Sequence, residues 1–332
     1  MIRVAVDALG GDRAPEEVVA GALEAASDGV QPVLYGPAGL ETGGLPLVET
    51  TQEIAMDEKP AEAVRGKPDS SLVRACRAVG EGEADAVLSA GNTGAMLAAG
   101  LVEIRRLQGV MRPAIAVVIP TQRGPSVLID SGANADARPE HLLQFAHMGA
   151  IFAEEVLDVR SPGIGLLSIG EEPEKGNALT LEAHGLLAAG SLPFKGNVES
   201  RALLAGAADV VVTDGFTGNV CLKLLEGTIL TLLDAMRAEI ASTARGKAGG
   251  LLIRPAARKL RARLDPDTYG GAYLLGLRGL SVIAHGNSGR TAIANAIRLA
   301  ARGVEHRVVE RLGQRLGERV VASARSQAPT TE

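Results

Sequence analysis

Short polar loops rich in glycine, asparagine and serine follow three of the apolar runs in this 332-residue chain. They lie at 91–94 (GNTG), 214–219 (DGFTGN) and 285–289 (HGNSG). The residue pattern predicts a strand before each loop and a helix after it. In an open parallel sheet, such loops meet at one edge, where main-chain N–H groups at helix starts can hold a ligand. Amide and hydroxyl donors with few carboxylates favour a small anion such as phosphate.

The His285 side chain is expected to contribute little to core packing, because it follows an apolar run and precedes a Gly-Asn-Ser turn. It could orient or protonate a substrate, although an isolated histidine at a strand end is more often a hydrogen-bonded structural group. Lys175 stands beside Gly176 before a predicted helix, where it could hold phosphate as a point charge or lie in solvent. Lys223, one turn into the helix after the 214–219 loop, could equally extend from a packed face.

Asp7, Gly10 and Gly11 end the first predicted strand, and the glycine pair would let the backbone approach a ligand or simply make a tight turn. Asn92 and Thr93 open a helix, so helix capping explains these residue types as well as anion binding does. The sequence contains no G-x-G-x-x-G and no G-x-x-x-x-G-K-[ST] motif. The motifs that usually indicate binding of a nicotinamide dinucleotide or of ATP are therefore missing.

A covalent nucleophile also lacks support, since no serine lies in a G-x-S-x-G motif and neither cysteine has a convincing base beside it. Cys76 and Cys221 lie in apolar helical patterns and form no C-x-x-C pair, which favours small buried side chains in a reducing compartment. His141 and His147 are six residues apart, off a shared helix face. We therefore expect no metal site and no cofactor.

The composition is that of a globular protein with an aliphatic interior. Hydrophobic residues make up 46% of the sequence and aromatic residues 2%, and tryptophan is absent, which suits helices packed tightly on a parallel sheet. The scarcity of aromatic residues disfavours a base-stacking nucleic-acid platform, and the net charge of -5 disfavours a general polyanion binder. The chain starts directly with a strand pattern, and we expect no apolar run long enough to span a bilayer. We therefore expect a cytosolic protein.

Apolar β-branched runs alternate with Ala- and Leu-rich helical patterns along most of the chain. This alternation predicts an α/β fold with a mostly parallel sheet covered on both faces. Strands are expected at 2–6, 31–35, 84–89, 114–119, 126–129, 163–169, 209–213 and 280–284. Linkers rich in proline or serine are missing, which leaves one domain or two lobes that share a continuous sheet. We expect one catalytic domain over residues 1–322 and a disordered tail at 323–332.

A basic segment within 228–266 breaks the pattern. Between Arg237 and Arg263, eight residues are basic and one, Glu239, is acidic. An apolar triplet, Leu251 to Ile253, lies inside this segment, and basic and apolar residues alternate after it. We expect a protruding helical segment that contacts a membrane surface or an acidic partner, or forms a plain solvated helix face. Further on, Val304, Val308, Leu312, Leu316 and Val320 repeat every four residues, which predicts a packing or dimer helix.

Taken together, the loops closely resemble the phosphate acyltransferase (PlsX) family over nearly the whole chain. The resemblance rests on ordered segments that include VAVDALGGDRAPEEVV, LSAGNTGAM, LIDSGANADARPEHLLQFAHMG, IGEEPEKGN, VVVTDGFTGNVCLK, YGGAYLLGLRG and IAHGNSG. It implies a three-layer α/β/α fold similar to isopropylmalate dehydrogenases and phosphotransacetylases. It also implies an enzyme that makes acyl phosphate from acyl-acyl carrier protein and inorganic phosphate at the start of bacterial phospholipid synthesis.

With that chemistry, we assign hypothetical roles to residues of the polar loops. Lys175 supplies positive charge, Asn219 donates to the thioester oxyanion, and His285 orients phosphate or protonates the departing sulfur. Contacts with phosphate or thioester are expected from Asp7, Gly10, Gly11, Lys67, Ser70, Ser71, Asn92, Thr93, Asn177, Asn287 and Ser288. Contacts with a membrane or carrier protein are expected from Leu251, Leu252, Ile253, Arg254, Arg258 and Arg261.

The resemblance further implies a homodimer that attaches reversibly to the inner face of the plasma membrane, and a downstream glycerol-3-phosphate acyltransferase. Two other functions stay open. One is a phosphotransacetylase-like transfer from coenzyme A thioesters, for which the sequence offers no recognisable nucleotide subsite. The other is a non-catalytic adaptor at the membrane surface that binds acyl carriers without turnover.

Overall fold

The computed structural model describes residues 1–27, 29–264 and 270–316, and its centre is one continuous sheet. The strands are β1 (Ile2–Asp7), β2 (Val30–Gly36), β3 (Leu47–Glu49), β4 (Ala86–Ser89), β5 (Ala114–Thr121), β6 (Gly124–Ile129), β7 (Ile164–Ser168), β8 (Phe194–Glu199), β9 (Val210–Val212), β10 (Ala272–Leu275) and β11 (Leu280–Ile283). Their spatial order is β3-β2-β1-β4-β11-β10-β5-β6-β9-β7-β8.

Helices cover both faces of this sheet. They are α1 (Glu16–Ala25), α2 (Pro60–Gly66), α3 (Ser71–Gly80), α4 (Thr93–Ala99), α5 (Pro139–Val156), α6 (Ala178–Ala189), α7 (Gly215–Ala241), α8 (Ala244–Leu264) and α9 (Arg290–Glu305), with a further helical stretch at 308–316. One face carries α1, α5, α6 and α9 over one large apolar cluster. The other face carries α3 and α4 over a second cluster, and the start of α7 over a third. The predicted three-layer α/β/α fold is confirmed.

The sheet is mostly parallel, but it consists of two halves that run in opposite directions. Strands β1 to β4 and β11 are parallel to one another, and so are β6, β9, β7 and β8. Antiparallel pairs join β11 to β10, β10 to β5, and β5 to β6. The sequence pattern did not indicate this reversal, because hydrophobic periodicity is the same for either strand direction.

The register brings the carboxyl ends of the two halves to the same level. One row across the sheet pairs Ser89, Ile283, Ala272, Val117, Leu128 and Val211 in turn. Ser89 and Ile283 are the last residues of β4 and β11. Leu128 and Val211 lie one residue before the ends of β6 and β9, which run in the opposite direction. The expectation that the three polar loops follow strands at one edge is therefore wrong in detail. Two loops come from one half and the third comes from the opposed half, and they meet in the middle.

The prediction of two buried cysteines is confirmed for Cys76 and only in part for Cys221. Cys76 is buried in α3 and Cys221 is half-buried in α7. Burial raises the pKa of both thiols, and nearby carboxylates act in the same direction. The reactive thiolate is thus suppressed at both positions, in agreement with the expectation that neither cysteine is a nucleophile.

The segment at 228–266 forms an exposed helical hairpin, as far as the structure describes it. α8 packs on α7, and the side chains of Leu251, Leu252, Ile253, Arg254, Arg258 and Arg261 are exposed. By length and composition alone, α7 would be able to cross a bilayer, contrary to the expectation of no such run. The first turns of this helix nevertheless line the cavity described below.

The C-terminal helical pattern belongs to the core. Val308, Leu312 and Leu316 are buried, and Val304 is partly buried against the large apolar cluster. The prediction of a packing helix is confirmed for these positions. Val320 and the tail at 323–332 lie outside the described residues, and the single domain at 1–322 stays a prediction.

Candidate active site

A cavity of about 300 Å³ opens where the two halves of the sheet meet. Its polar part is formed by the loops after β4, β6 and β11 and by the first turns of α7. Its polar side chains and glycines include Gly91, Thr93, Ser131, Gly132, Asn219, Lys223, Glu226, His285, Gly286 and Ser288. The loops predicted to meet therefore do meet, and they enclose a space suited to a small ligand.

Three polar residues of α7 face this cavity together. Asn219, Lys223 and Glu226 are spaced by four and three residues, so they lie on one side of the helix. Asp214 caps the helix by accepting hydrogen bonds from Thr217 N–H at 2.8 Å and from its hydroxyl at 2.7 Å. Because a carboxylate already occupies the positive end of α7, an anion is expected beside the helix face rather than at its start.

Asp130 organises the loop that faces Asn219. Its buried carboxylate accepts main-chain N–H bonds from Ile115, Gly132, Ala133 and Asn134, at distances from 2.8 to 3.1 Å. Burial raises the pKa of this carboxyl, although the hydrogen bonds act in the opposite direction. Gly218 packs directly on the backbone of Asp130, where a Cβ atom would overlap the Asp130 carbonyl oxygen. The start of α7 is thereby fixed against the end of β6.

We expect Gly218→Ala to lower the free energy of unfolding by about 1–3 kcal/mol, because the added methyl group forces α7 away from Asp130. Gly227→Ala is the matched control on the same helix. Its Cβ would meet nothing within 4 Å, so the substitution should raise stability by about 1 kcal/mol through helix propensity. Urea unfolding of both variants tests the pair. Equal stabilities would contradict the close approach at Gly218.

His285 lies at the mouth of the cavity and contacts a carboxylate. Its Nε2 is 3.1 Å from Glu226 Oε1, and the two side chains are 47% and 16% exposed. Glu226 can therefore hold the imidazole ring in one orientation at the mouth of the cavity. Sequence reasoning missed Glu226. Its spacing of seven from Asn219 on one helix face was the signal that could have found it.

Asp7 supports the cavity from beneath rather than opening into it. It is fully buried and accepts hydrogen bonds from the hydroxyls of Ser71 at 2.5 Å and Ser89 at 2.7 Å. Burial raises the pKa of this carboxyl despite these bonds. Gly10 packs so closely on Asp7 and on the Gly91 backbone that a side chain would collide with both. Asp7, Gly10 and Ser71 therefore join the loops of the site to one another.

Asn92 acts as a helix cap. Its side-chain oxygen accepts the Ala95 N–H at 3.0 Å, and its amide donates to the carbonyl oxygens of Met56 and Glu58, both at 3.0 Å. The side chain is thus fully engaged, whereas Thr93 lines the cavity. In the described part of the chain no acceptor pairs with the main-chain N–H of Thr93, which leaves this group for a ligand.

Gly11, Asn287 and Ser288 lie in or beside the loop after β11. Gly11 has a positive φ of 117° and approaches the Gly286 carbonyl oxygen, and the neighbouring Asp12 N–H donates to that oxygen at 2.7 Å. Ser288 is buried and lines the cavity, and its N–H donates to the His285 carbonyl oxygen at 3.0 Å. Asn287 is exposed. Main-chain contacts thus set the shape of this loop.

Four other predicted residues are not among the lining of this cavity. Lys67 donates to Glu58 at 2.6 Å and to the Glu53 carbonyl oxygen at 2.8 Å, and Ser70 caps α3 by accepting the Val73 N–H at 3.4 Å. Lys175 is exposed in the loop before α6. Asn177 caps α6 by accepting the Thr180 N–H at 2.9 Å and lines a second depression with Asp214 and Thr217. Their substrate roles stay predictions.

Across residues 1–27, 29–264 and 270–316, no three His, Cys, Asp or Glu side chains are grouped so that they could hold a metal ion. The polar side chains that line the cavity carry amide, imidazole, ammonium, carboxylate and hydroxyl groups.

Similarity to known proteins extends over most of the chain. A family model described as "Fatty acid synthesis protein" matches residues 2–311. The chain is 46% identical over 320 residues to the phosphate acyltransferase of Heliobacterium modesticaldum, covering 93% of this chain and 96% of that one. It is 47% identical over 323 residues to the phosphate acyltransferase of Desulfitobacterium hafniense strain Y51, covering 94% and 96%.

A solved structure extends the comparison to the fold. The branched-chain phosphotransacylase from Enterococcus faecalis superposes with a TM-score of 0.59 at 17% identity, covering 92% of this chain and 100% of that one. The phosphotransacetylase-like fold expected from the sequence is thereby confirmed. At this identity the likeness concerns the fold alone.

Proposed function

The chain belongs to the phosphate acyltransferase family and is an acyltransferase, and from that premise we propose that it transfers a fatty acyl group from acyl-acyl carrier protein to inorganic phosphate. The products are acyl phosphate and free carrier protein, and the acyl phosphate feeds bacterial phospholipid synthesis. One observation carries the proposal most directly. Asn219, Lys223 and His285 converge at the polar end of a cavity whose remaining walls are largely apolar.

The proposed reaction needs no covalent enzyme intermediate. A phosphate oxygen forms a bond to the thioester carbonyl carbon, and the carbon–sulfur bond then breaks with its electron pair on sulfur. The sulfur leaves as thiolate or takes a proton to become the free thiol, whose ordinary pKa of about 8.5 makes it a good leaving group. Positioning of phosphate and stabilisation of the oxyanion then supply most of the rate.

The described geometry supports specific roles. The Asn219 side chain lies against Gly132 at the cavity wall, where its amide can donate to the oxyanion. The N–H of Thr93 can donate to phosphate, and Ser288 lines the same wall. His285, oriented by Glu226, can hold phosphate or give a proton to the departing sulfur. Asp7, Gly10 and Gly11 keep the loops that carry these groups in place.

Lys223 is a better-placed source of positive charge than Lys175, because it lines the cavity and Lys175 does not. We expect Lys223→Ala to raise the KM for phosphate about tenfold or more through loss of a charge-assisted contact. The sequence-based expectation for Lys175→Ala is a strong loss of turnover. Steady-state kinetics with varied phosphate test both variants.

Lys195→Ala is the control for these two variants, because Lys195 is an exposed lysine on β8. Its KM for phosphate should equal that of the wild type. A wild-type rate in Lys175→Ala would remove Lys175 from the site. An unchanged KM in Lys223→Ala would remove Lys223.

Release of free thiol is the measurement that separates the candidate functions. Acyl chains linked to carrier protein and to coenzyme A are supplied with and without inorganic phosphate. The proposed function requires phosphate-dependent thiol release from the carrier thioester. Preference for the coenzyme A thioester would favour a phosphotransacetylase-like reaction. Binding of acyl carrier without thiol release would favour the adaptor.

The exposed hairpin of α7 and α8 supports a proposal about where the enzyme works. Leu252 is 82% exposed between two further exposed apolar residues, and arginines follow on the same helix. Apolar tips flanked by cationic side chains suit a surface of anionic lipid headgroups. We therefore place the enzyme in the cytoplasm with reversible attachment to the inner face of the plasma membrane. A carrier protein would use the arginines but not the apolar triplet.

Two further partners belong to this proposal. α7 exposes four large apolar side chains, Leu224, Leu230, Leu232 and Met236, and exposed apolar surface of this kind supports the homodimer that the resemblance implies. Acyl phosphate is a reactive mixed anhydride, so a glycerol-3-phosphate acyltransferase downstream would use it directly. No role for nucleic acid is proposed.

A further inference from the structure

The cavity extends beyond its polar end along the face of the sheet that carries α4 and α7. Val117 on β5 and Ala272 on β10 lie side by side in this wall, and Ile283 of β11 is paired with Ala272. Leu222 and Leu225 of α7 line the opposite side. We propose that this apolar slot, defined by Val117, Ala272, Ile283, Leu222 and Leu225, holds the hydrocarbon chain of the acyl substrate. The inference rests on the proposed function.

The packing of the core leaves this slot open. On this face of the sheet, Ile283 and Ala272 belong to the apolar cluster under α3 and α4, while Leu222 belongs to the cluster under α7. Val117 borders both clusters and remains only partly buried, although β5 has a neighbouring strand on each side. A central strand residue is ordinarily covered by its helix layer. The gap between the two helix groups therefore falls at Val117.

Small residues widen the gap. In the row across the sheet, Ala272 is the short side chain between Ile283 and Val117. Gly271, beside it, also lines the cavity. A longer side chain at Ala272, the first residue of β10, would occupy the slot, whereas a Cβ atom at Gly271 would come within 2.6 Å of the Ile283 carbonyl oxygen.

The slot leads directly to the groups proposed for the reaction. Ile283 is two residues before His285, and Leu222 is one turn after Asn219 on α7. A thioester carbonyl beside Asn219 and His285 would thus have its hydrocarbon chain next to apolar walls. An unbranched, uncharged chain fits these walls, whereas the charged groups of the lining, Lys223 and Glu226, belong to the mouth with His285.

Val117→Phe tests the slot, and Val102→Phe is its matched control because Val102 is 60% exposed and does not line the cavity. We compare kcat/KM for hexadecanoyl- and butanoyl-carrier thioesters at saturating phosphate. In Val117→Phe the ratio of long-chain to short-chain kcat/KM should fall at least tenfold. In Val102→Phe the ratio should stay at the wild-type value. Ala272→Leu replaces Val117→Phe if thermal unfolding shows that the phenylalanine variant does not fold.

Binding of the fluorescent fatty acid cis-parinaric acid provides a readout that does not depend on turnover. Its affinity should fall at least tenfold in Val117→Phe and stay unchanged in Val102→Phe. Unchanged affinity in Val117→Phe, or an unchanged chain-length ratio in an active enzyme, would overturn the slot. If the wild type releases no thiol from either thioester, the proposed function fails, and the binding difference alone decides whether the slot exists.

Discussion

Replacing His285 with alanine should lower turnover by about 100-fold or more, within the range found when a positioned acid or base is removed. The expectation follows from its place at the cavity mouth, beside Asn219 and Ser288, and from its 3.1 Å contact with Glu226. Since the side chain is 47% exposed, its loss should leave the thermal unfolding midpoint nearly unchanged. Single-turnover rates and a melting curve on the same preparation measure both effects.

Two further variants sharpen this test. Glu226→Ala should lower kcat about tenfold or more because the imidazole loses its orienting partner, while Glu226→Gln keeps an acceptor and should recover most of that loss. His306→Ala changes a histidine at the end of α9, away from the lining of the cavity, and should behave as the wild type. Near-wild-type turnover in His285→Ala would remove the histidine from the mechanism and leave Asn219 and Lys223 to carry it.

Replacing both Leu251 and Ile253 with glutamate should release the protein from anionic vesicles. Burying each of these side chains in the lipid interface would contribute roughly 1.5–3 kcal/mol, so losing both should lower the partition coefficient about 100-fold or more. The added negative charges also repel the headgroups. Sedimentation with phosphatidylglycerol vesicles measures the binding, and phosphate-dependent activity in solution should not be abolished.

Val102→Glu combined with Met111→Glu is the matched control, because it changes two exposed apolar residues away from the hairpin. This control should sediment with vesicles as the wild type does. Retained vesicle binding in the Leu251 and Ile253 variant would contradict membrane contact. A raised KM for acyl carrier together with unchanged vesicle binding would assign the hairpin to the carrier instead.

Much of the fold could be predicted from hydrophobic patterning, and the exceptions have physical reasons. The eight expected strands are present, with ends displaced by a few residues. The pattern missed β3 and β10, which are short, and β8, which contains Gly196. Short or interrupted apolar runs are ambiguous between strand and loop. Without β10, the reversal between the two halves of the sheet could not be foreseen, because β10 supplies two of the antiparallel pairs.

The site was predictable where loop chemistry is local and was missed where it depends on packing. Thr93, Asn219, His285 and Ser288 were expected from their loops, and all four line one cavity. Glu226 lies inside an apolar helix, where a single acidic residue is ordinarily interpreted as a side chain exposed to solvent. The apolar slot was invisible, because residues such as Val117 have the same sequence signature whether a helix covers them or a ligand does.

The position of the β10–β11 hairpin has a consequence for how the molecule assembles on the ribosome. These two strands, at 272–283, stand between β4 and β5, whose residues are synthesised more than 150 positions earlier. A nascent chain that stops before them has two half-sheets with facing unpaired borders and no cavity between them. Joining the halves is therefore a late, non-local event, and catalytic competence arrives with the last strands rather than growing gradually with chain length.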